Sequence, residues 1–106
     1  VHEGPISISK FSKKPFLEGM VLSNEPGYYK RNHFGIRIEN LLYVDKEDGK
    51  LFFKNLTMAP IEKDLINFNL LTISEKNYLF KYHMEVYFKI SKYLNQNEKK
   101  WLASLI

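Results

Sequence analysis

The sequence changes character about half way along, and this change limits the possible fold more than any other feature. The first half holds all five glycines and three of the four prolines, whereas the second is richer in Lys and Asn, with aromatic residues at helical spacing. Strand and turn signals followed by helix signals are typical of an α+β fold. The 106 residues allow one domain at most. We therefore expect strands first and helices later.

The first half contains signals for strands and for one hairpin. Met20–Ser23 predicts a short strand, and Pro26-Gly27 predicts a turn that ends it. Phe34–Val44 predicts a long strand, because apolar and charged residues alternate and then give way to a continuous apolar run. Asp48-Gly49 is a strong hairpin signal. It predicts that Leu51–Phe53 pairs back on the long strand.

The second half predicts two helices. Ser74 is a suitable N-cap residue, and the apolar spacing that follows predicts an amphipathic helix over residues 75–94. Its apolar face is expected to comprise Leu79, Tyr82, Val86, Ile90 and Tyr93. Asn95–Asn97 breaks the pattern, and a short helix is expected over about residues 97–105. That helix should bury Trp101, Leu102 and Leu105.

Composition excludes several classes of site and partner. The chain has no cysteine, so disulfides, thiol nucleophiles and zinc–thiolate sites are ruled out, and a reducing compartment fits. The net charge of +4 comes from 16 basic and 12 acidic residues that are interleaved, which indicates solvated lysines rather than a nucleic-acid stripe. No apolar run approaches the ~18 residues that a membrane span needs. We expect neither a nucleic-acid partner nor a membrane partner.

Two acidic residues stand where a carboxylate could bind a cation. Glu25 closes a short strand, and Glu39 is expected mid-strand in a region that should be core. Burying a carboxylate is costly unless it is paired or metal-bound, and hard divalent cations take carboxylate oxygens. The alternatives stay open at this point. Glu39 could instead form a salt bridge with Arg37 on the same strand face, and Glu25 could be an exposed acid at a strand end.

The three histidines do not form a metal site by themselves. His2 lies in a polar start before a turn, His33 is expected in a loop, and His83 is expected to pack within the long helix. No two histidines have ligand spacing on one helix, which excludes a zincin-type site.

Three segments in succession resemble motifs of aminopeptidase P (Xaa-Pro aminopeptidase), a peptidase of family M24. They are His2–Pro5 (HEGP), Asn24–Tyr29 (NEPGYY) and Phe34–Asn40 (FGIRIEN). Further similarity lies in Leu56–Ile61, in Tyr82-His83 and in Trp101-Leu102, so that the resemblance covers essentially the whole chain. An EPG motif alone would be weak, but these motifs in this order are a strong signal.

The resemblance implies the C-terminal portion of a pita-bread fold, with antiparallel strands followed by helices. It also implies two divalent metal ions, usually manganese. By motif, Glu25 matches a metal ligand that can also shuttle protons, and Glu39 matches the carboxylate that bridges both metals. His2 matches the catalytic histidine that contacts the substrate near the scissile bond. Arg37 matches an arginine that orients the metal ligands.

The resemblance further implies hydrolysis of the first peptide bond of substrates with proline second. Residues 1–59 would carry the strands and active-site motifs, and residues 60–106 a helical tail. The family's two aspartates and metal-binding histidine have no counterpart here, so we expect an upstream part of the protein as a separate chain or fragment. A cytoplasmic homodimer is expected. The alternatives are an inactive pita-bread interaction module and a prolidase-type dipeptidase.

Overall fold

The computed structural model describes residues 6–106, which fall into two units that meet in sequence between Thr57 and Met58. The strands of the described residues lie in the first unit and the α helices in the second. The strands are β1 (Val21–Asn24), β2 (Gly27–Lys30), β3 (Phe34–Arg37), β4 (Asn40–Glu47) and β5 (Lys50–Asn55). The helices are α1 (Ile73–Ile90) and α2 (Gln96–Ser104). The expected α+β order, antiparallel strands and then helices, is confirmed.

A three-stranded antiparallel sheet forms the centre of the first unit, in the order β1-β4-β5. The predicted hairpin joins β4 to β5, and Glu47 pairs with Lys50 across its two-residue turn. Asp48 and Gly49 have φ angles of 50° and 77°, so both lie in the left-handed region. Two such residues favour the turn whose twist matches the flanking strands, which explains the Asp-Gly pair.

Strands β2 and β3 form a separate two-stranded ribbon, and this overturns two predictions. The Pro26-Gly27 turn is wrong, because β2 begins at Gly27. The single long strand over Phe34–Val44 is also wrong, because residues 38 and 39 separate β3 from β4. Pro26 supplies the physical reason, since proline has no N–H to donate to a facing strand.

The buried core of the first unit is small. Leu22, Leu42 and Val44 are its buried apolar side chains among the described residues. Strand β4 alternates between buried and half-buried positions. The ribbon, by contrast, is exposed along its length and carries large apolar side chains. Those on one of its faces are Tyr28, Phe34 and Ile36, and Ile38 follows them beyond the end of β3.

Helix α1 begins two residues earlier than predicted, with Thr72 rather than Ser74 as its N-cap. The Thr72 hydroxyl accepts from the Glu75 N–H at 3.3 Å, and the Glu75 carboxylate accepts from the Thr72 N–H at 2.8 Å. This reciprocal capping box satisfies two donors at the helix start. The Thr72 N–H and the Thr72 hydroxyl both donate to the Glu75 carboxylate at 2.8 Å, and these two bonds hold the pKa of Glu75 below its ordinary value.

The helical unit buries fewer aromatic residues than the sequence pattern indicates. Leu79, Tyr82, His83 and Val86 are buried on α1, and Leu102 is buried on α2. Trp101 is 62% exposed, so its predicted burial is wrong, and Leu105 is only half-buried. Tyr93, which was predicted on the apolar face of the helix, is 75% exposed. Helix α1 ends at Ile90, before a 3-10 turn over Ser91–Tyr93, and this change of backbone takes Tyr93 off the helical stripe.

His83 packs as predicted and also accepts a hydrogen bond. Its Nε2 atom receives the N–H of Ile61 at 3.1 Å, and Tyr82 beside it donates its hydroxyl to the Ala59 carbonyl at 2.7 Å. Burial lowers the pKa of His83 below 6.5, and the positive charge of Lys63 acts in the same direction. The two α1 side chains therefore hold the backbone over residues 59–61.

Among residues 6–106, neither helix combines the length and the apolar character that a bilayer span requires.

The burial of neutral His83 predicts a pH dependence of stability. The unfolded chain binds a proton at this residue below about pH 6.5, whereas the folded chain resists protonation, so stability falls as pH drops below 6.5. We expect His83→Gln, whose side-chain oxygen can still accept from Ile61, to flatten this part of the profile. Urea unfolding at several pH values measures it. The matched control His33→Gln replaces an exposed histidine, and an equal effect of both substitutions would contradict the prediction.

Candidate functional site

The β1–β4 and β2–β3 strand pairs keep a single register across the break between them. Val21 pairs with Tyr43 in the β1–β4 pair, and Gly27 pairs with Arg37 in the β2–β3 pair; in both pairs the partners' residue numbers sum to 64. The N–H of Ile38 donates to the Pro26 carbonyl at 3.2 Å, in the same register. The break is therefore one missing proline donor in an otherwise continuous antiparallel arrangement.

This register sets Glu25 opposite Glu39. The Val44 N–H donates to the Met20 carbonyl, and the Ile38 N–H donates to Pro26. Alternate positions in an antiparallel pair lack such bonds, so Glu25 and Glu39 occupy a non-hydrogen-bonded pair. Residues in such a pair lie on the same face, with Cα atoms about 4.5 Å apart and side chains closer than elsewhere. Like charges in this position repel each other, so a positive charge close to both carboxylates would stabilise the pair.

Arg37 supplies a positive charge to both carboxylates. Its Nη1 atom lies 3.3 Å from Oε2 of Glu25, and its Nε atom lies 3.7 Å from Oε2 of Glu39. The side chains of Glu25, Glu39 and Arg37 are 32%, 40% and 49% exposed. Ion pairs this exposed contribute about 0–1 kcal/mol each. The salt bridge between Glu39 and Arg37 that the sequence left open as an alternative is thus present.

The expectation that Glu39 lies mid-strand in the core is wrong. Glu39 precedes β4 in the segment between two strands, and its side chain is accessible. The buried polar residue here is its neighbour Asn40, whose amide donates to the Asn55 side chain at 3.3 Å. The Leu41 N–H next along donates to the Thr57 hydroxyl at 2.8 Å. These two hydrogen bonds fix the start of β4, the strand that Glu39 directly precedes.

Ser23 also lies on the carboxylate face, and the sequence patterns did not single it out. Its hydroxyl donates to Oε1 of Glu25 at 2.7 Å. The signal that could have found it is spacing, because residues two apart in a strand share a face.

Two glycines leave room for an aromatic ring beside the carboxylates. A Cβ atom at Gly27 would stand 2.7 Å from the Tyr29 hydroxyl, and one at Gly35 would stand 2.6 Å from Cδ1 of that ring. The Tyr29 ring therefore lies across the ribbon on the face that carries Arg37. Any larger residue at either glycine would displace it.

The described residues supply a pair of carboxylates and no larger ligand cluster. Among residues 6–106, no group of three or more His, Asp or Glu side chains could hold a metal ion. Two facing carboxylates nevertheless suit hard cations, because their oxygen donors and negative charge converge on one face. The residues present thus fit one side of a divalent-metal site.

The three histidines lie in different parts of the chain. His33 is exposed in the turn between β2 and β3, as predicted, and His83 belongs to the helical unit. His2 lies outside the described residues.

Two family models match consecutive parts of the chain. The family model described as metallopeptidase family M24 matches residues 1–46, and the model for the C-terminal region of peptidase M24 matches residues 49–105.

Curated relatives are similar over nearly all of this chain. A probable Xaa-Pro aminopeptidase P of Sclerotinia sclerotiorum is 41% identical over 96% of the chain, which spans 19% of that relative. Aminopeptidase P2 of Arabidopsis thaliana is 43% identical over 96% of the chain, which spans 16% of it. The chain thus spans less than a fifth of the length of these relatives.

A solved structure shares the fold. The X-prolyl aminopeptidase of Caenorhabditis elegans, described as a cytosolic enzyme with a di-nuclear active site, is 36% identical with a TM-score of 0.84. The match covers 99% of this chain and 19% of that one. The fold expected from the motifs, the C-terminal portion of a pita-bread fold, is confirmed.

The facing carboxylates predict a small stability effect at Arg37. We expect Arg37→Gln to destabilise the metal-free protein by up to about 1 kcal/mol, because Glu25 and Glu39 then repel without a neutralising charge. Denaturant unfolding measures this change. Lys30→Gln on the same ribbon removes an equal charge away from the pair and should have a smaller effect. A more stable Arg37→Gln protein would contradict the prediction.

Proposed function

The chain belongs to metallopeptidase family M24, and from this premise we propose that it forms the C-terminal part of the catalytic domain of an Xaa-Pro aminopeptidase. The complete enzyme would release the first residue of peptides with proline second. The observation that carries the proposal is the register that sets Glu25 opposite Glu39 on an accessible face. The names of the relatives support the substrate class.

Glu25 and Glu39 are the proposed metal ligands. Two divalent ions are proposed because the family is metallopeptidase and the worm relative is described as di-nuclear. Glu39 would bridge the two ions and Glu25 would bind one of them. Such ions, when bound, acidify water and polarise a carbonyl. The identification of these ions as manganese stays a prediction.

The remaining roles fall to protein side chains. Glu25 can also accept and return a proton during hydrolysis, since a carboxylate suits both tasks. Arg37 would orient the two carboxylates, as groups behind metal ligands do. His2 would position the substrate carbonyl or stabilise the oxyanion. Its placement lies outside the described residues, so this assignment rests on the HEGP motif.

An upstream part of the protein would complete the site. Two carboxylates alone are too few ligands for two divalent ions, and residues 6–106 contain no larger cluster of possible metal ligands. The side chains of Tyr28, Phe34 and Ile36 are large, apolar and exposed, and this supports the proposal that a further segment of the protein packs over the ribbon. A cytosolic location is proposed from the description of the worm relative. The homodimer stays a prediction.

Two other functions remain distinguishable by experiment. An inactive pita-bread interaction module would bind no stoichiometric metal. A prolidase-type dipeptidase would cleave Xaa-Pro dipeptides in preference to longer peptides. Metal analysis and a comparison of dipeptide with tripeptide substrates separate both from the proposed enzyme.

Replacement of the bridging carboxylate tests the proposal. In a protein in which an upstream segment accompanies this chain, we expect Glu39→Gln to reduce manganese-dependent cleavage of Xaa-Pro-Xaa tripeptides by at least a hundredfold. The amide keeps the side chain's shape but loses the charge that two cations share. Release of the first residue, followed by chromatography, measures the rate.

Glu47→Gln is the matched control, because Glu47 is an exposed glutamate at the far end of β4. It should leave the rate unchanged. Near-normal activity of Glu39→Gln would exclude the bridging role.

A further inference from the structure

We propose that Ser23 is a positioning residue that fixes the orientation of the Glu25 carboxylate for metal binding. The inference deepens the proposed function and rests on it. Ser23 lies outside the motif segments that resemble aminopeptidase P, two positions before Glu25.

The strand geometry brings the two side chains together. Ser23 belongs to β1, where it pairs with Leu41, and Glu25 follows β1 directly. Residues two apart in an extended chain point to the same face. The Ser23 hydroxyl donates to Oε1 of Glu25 at 2.7 Å. This is the short distance of a strong hydrogen bond to a charged acceptor.

The two oxygens of Glu25 therefore have different partners. Oε1 receives the Ser23 hydroxyl, and Oε2 faces Nη1 of Arg37 at 3.3 Å. The terminal torsion of a glutamate is broad, so the plane of its carboxylate is set by hydrogen bonds rather than by its own rotamers. Ser23 holds this plane with one oxygen directed away from the guanidinium.

The Ser23 hydroxyl is uncharged, and this matters for the binding of a cation by Glu25. A second positive group would also hold Glu25, but it would cancel the charge that attracts a divalent ion. A hydroxyl orients the carboxylate and leaves the negative charge intact. Without it, both oxygens of Glu25 can turn toward Arg37, whose planar guanidinium binds carboxylates through two parallel bonds. Arg37 would then compete with the metal.

The test uses Ser23→Ala and Ser23→Thr in a protein in which an upstream segment accompanies this chain. Calorimetric titration with Mn²⁺ alone measures metal affinity, and urea unfolding measures the stability of the metal-free form. Loss of a partner behind a metal ligand weakens metal binding about 10- to 100-fold. We expect that loss for Ser23→Ala. Threonine keeps the hydroxyl and suits a strand, so Ser23→Thr should bind the metal as the unchanged protein does.

Ser104→Ala is the control variant. It removes a hydroxyl that donates to the Trp101 carbonyl in the helical unit and should leave metal affinity unchanged. A merely structural role for Ser23 would lower metal-free stability without changing metal affinity, and that result would overturn the inference.

Glu25→Gln separates the inference from the proposed function. If Glu25→Gln loses Mn²⁺ binding and Ser23→Ala keeps it, the inference about Ser23 is wrong and the proposed function stands. If Glu25→Gln itself binds Mn²⁺ normally, the proposed ligand role fails, and the inference fails with it.

Discussion

Two negative charges face each other across one pair of strand positions, and the rest of the site depends on how they are neutralised. Glu25 and Glu39 share a face because the β1–β4 and β2–β3 pairs keep one register. Opposed like charges destabilise a strand pair. Arg37 reaches both carboxylates and offsets this repulsion, although exposed ion pairs contribute little. A divalent cation, as proposed above, would neutralise the pair more strongly than the guanidinium alone.

The backbone around the pair explains why the carboxylates remain accessible. Pro26 cannot donate to Ile38, so one bond of the ladder is missing beside Glu25. The strands separate there into a sheet and a ribbon, and Glu39 lies outside both. Asn40 and Thr57 then secure the start of β4 through side-chain hydrogen bonds. Accessibility and fixed register together are what a ligand residue requires.

Much of the fold could be predicted from local signals, and the failures have physical causes. The Asp48-Gly49 hairpin was predictable because both residues tolerate the left-handed backbone that its turn demands. The split of the strand over Phe34–Val44 was not, since its cause, Pro26, lies on the facing strand rather than within the segment. Thr72 rather than Ser74 is the N-cap, because Glu75 lies three residues after Thr72 and so completes a capping box with it. The motifs indicated Glu25, Glu39 and Arg37. Strand spacing places Ser23 on the same face as Glu25, but the hydrogen bond between them depends on side-chain orientation, which spacing alone does not specify.

The central claim is that Glu25 and Glu39 hold a dinuclear cation cluster between them. Its most direct test is a crystal structure of the protein with its upstream segment and Mn²⁺, with anomalous scattering recorded at the manganese edge. The account predicts two anomalous peaks about 3.5–4 Å apart, with Glu39 in contact with both and Glu25 with one. A structure in which Arg37 stays between the two carboxylates and no peak lies beside either would contradict it.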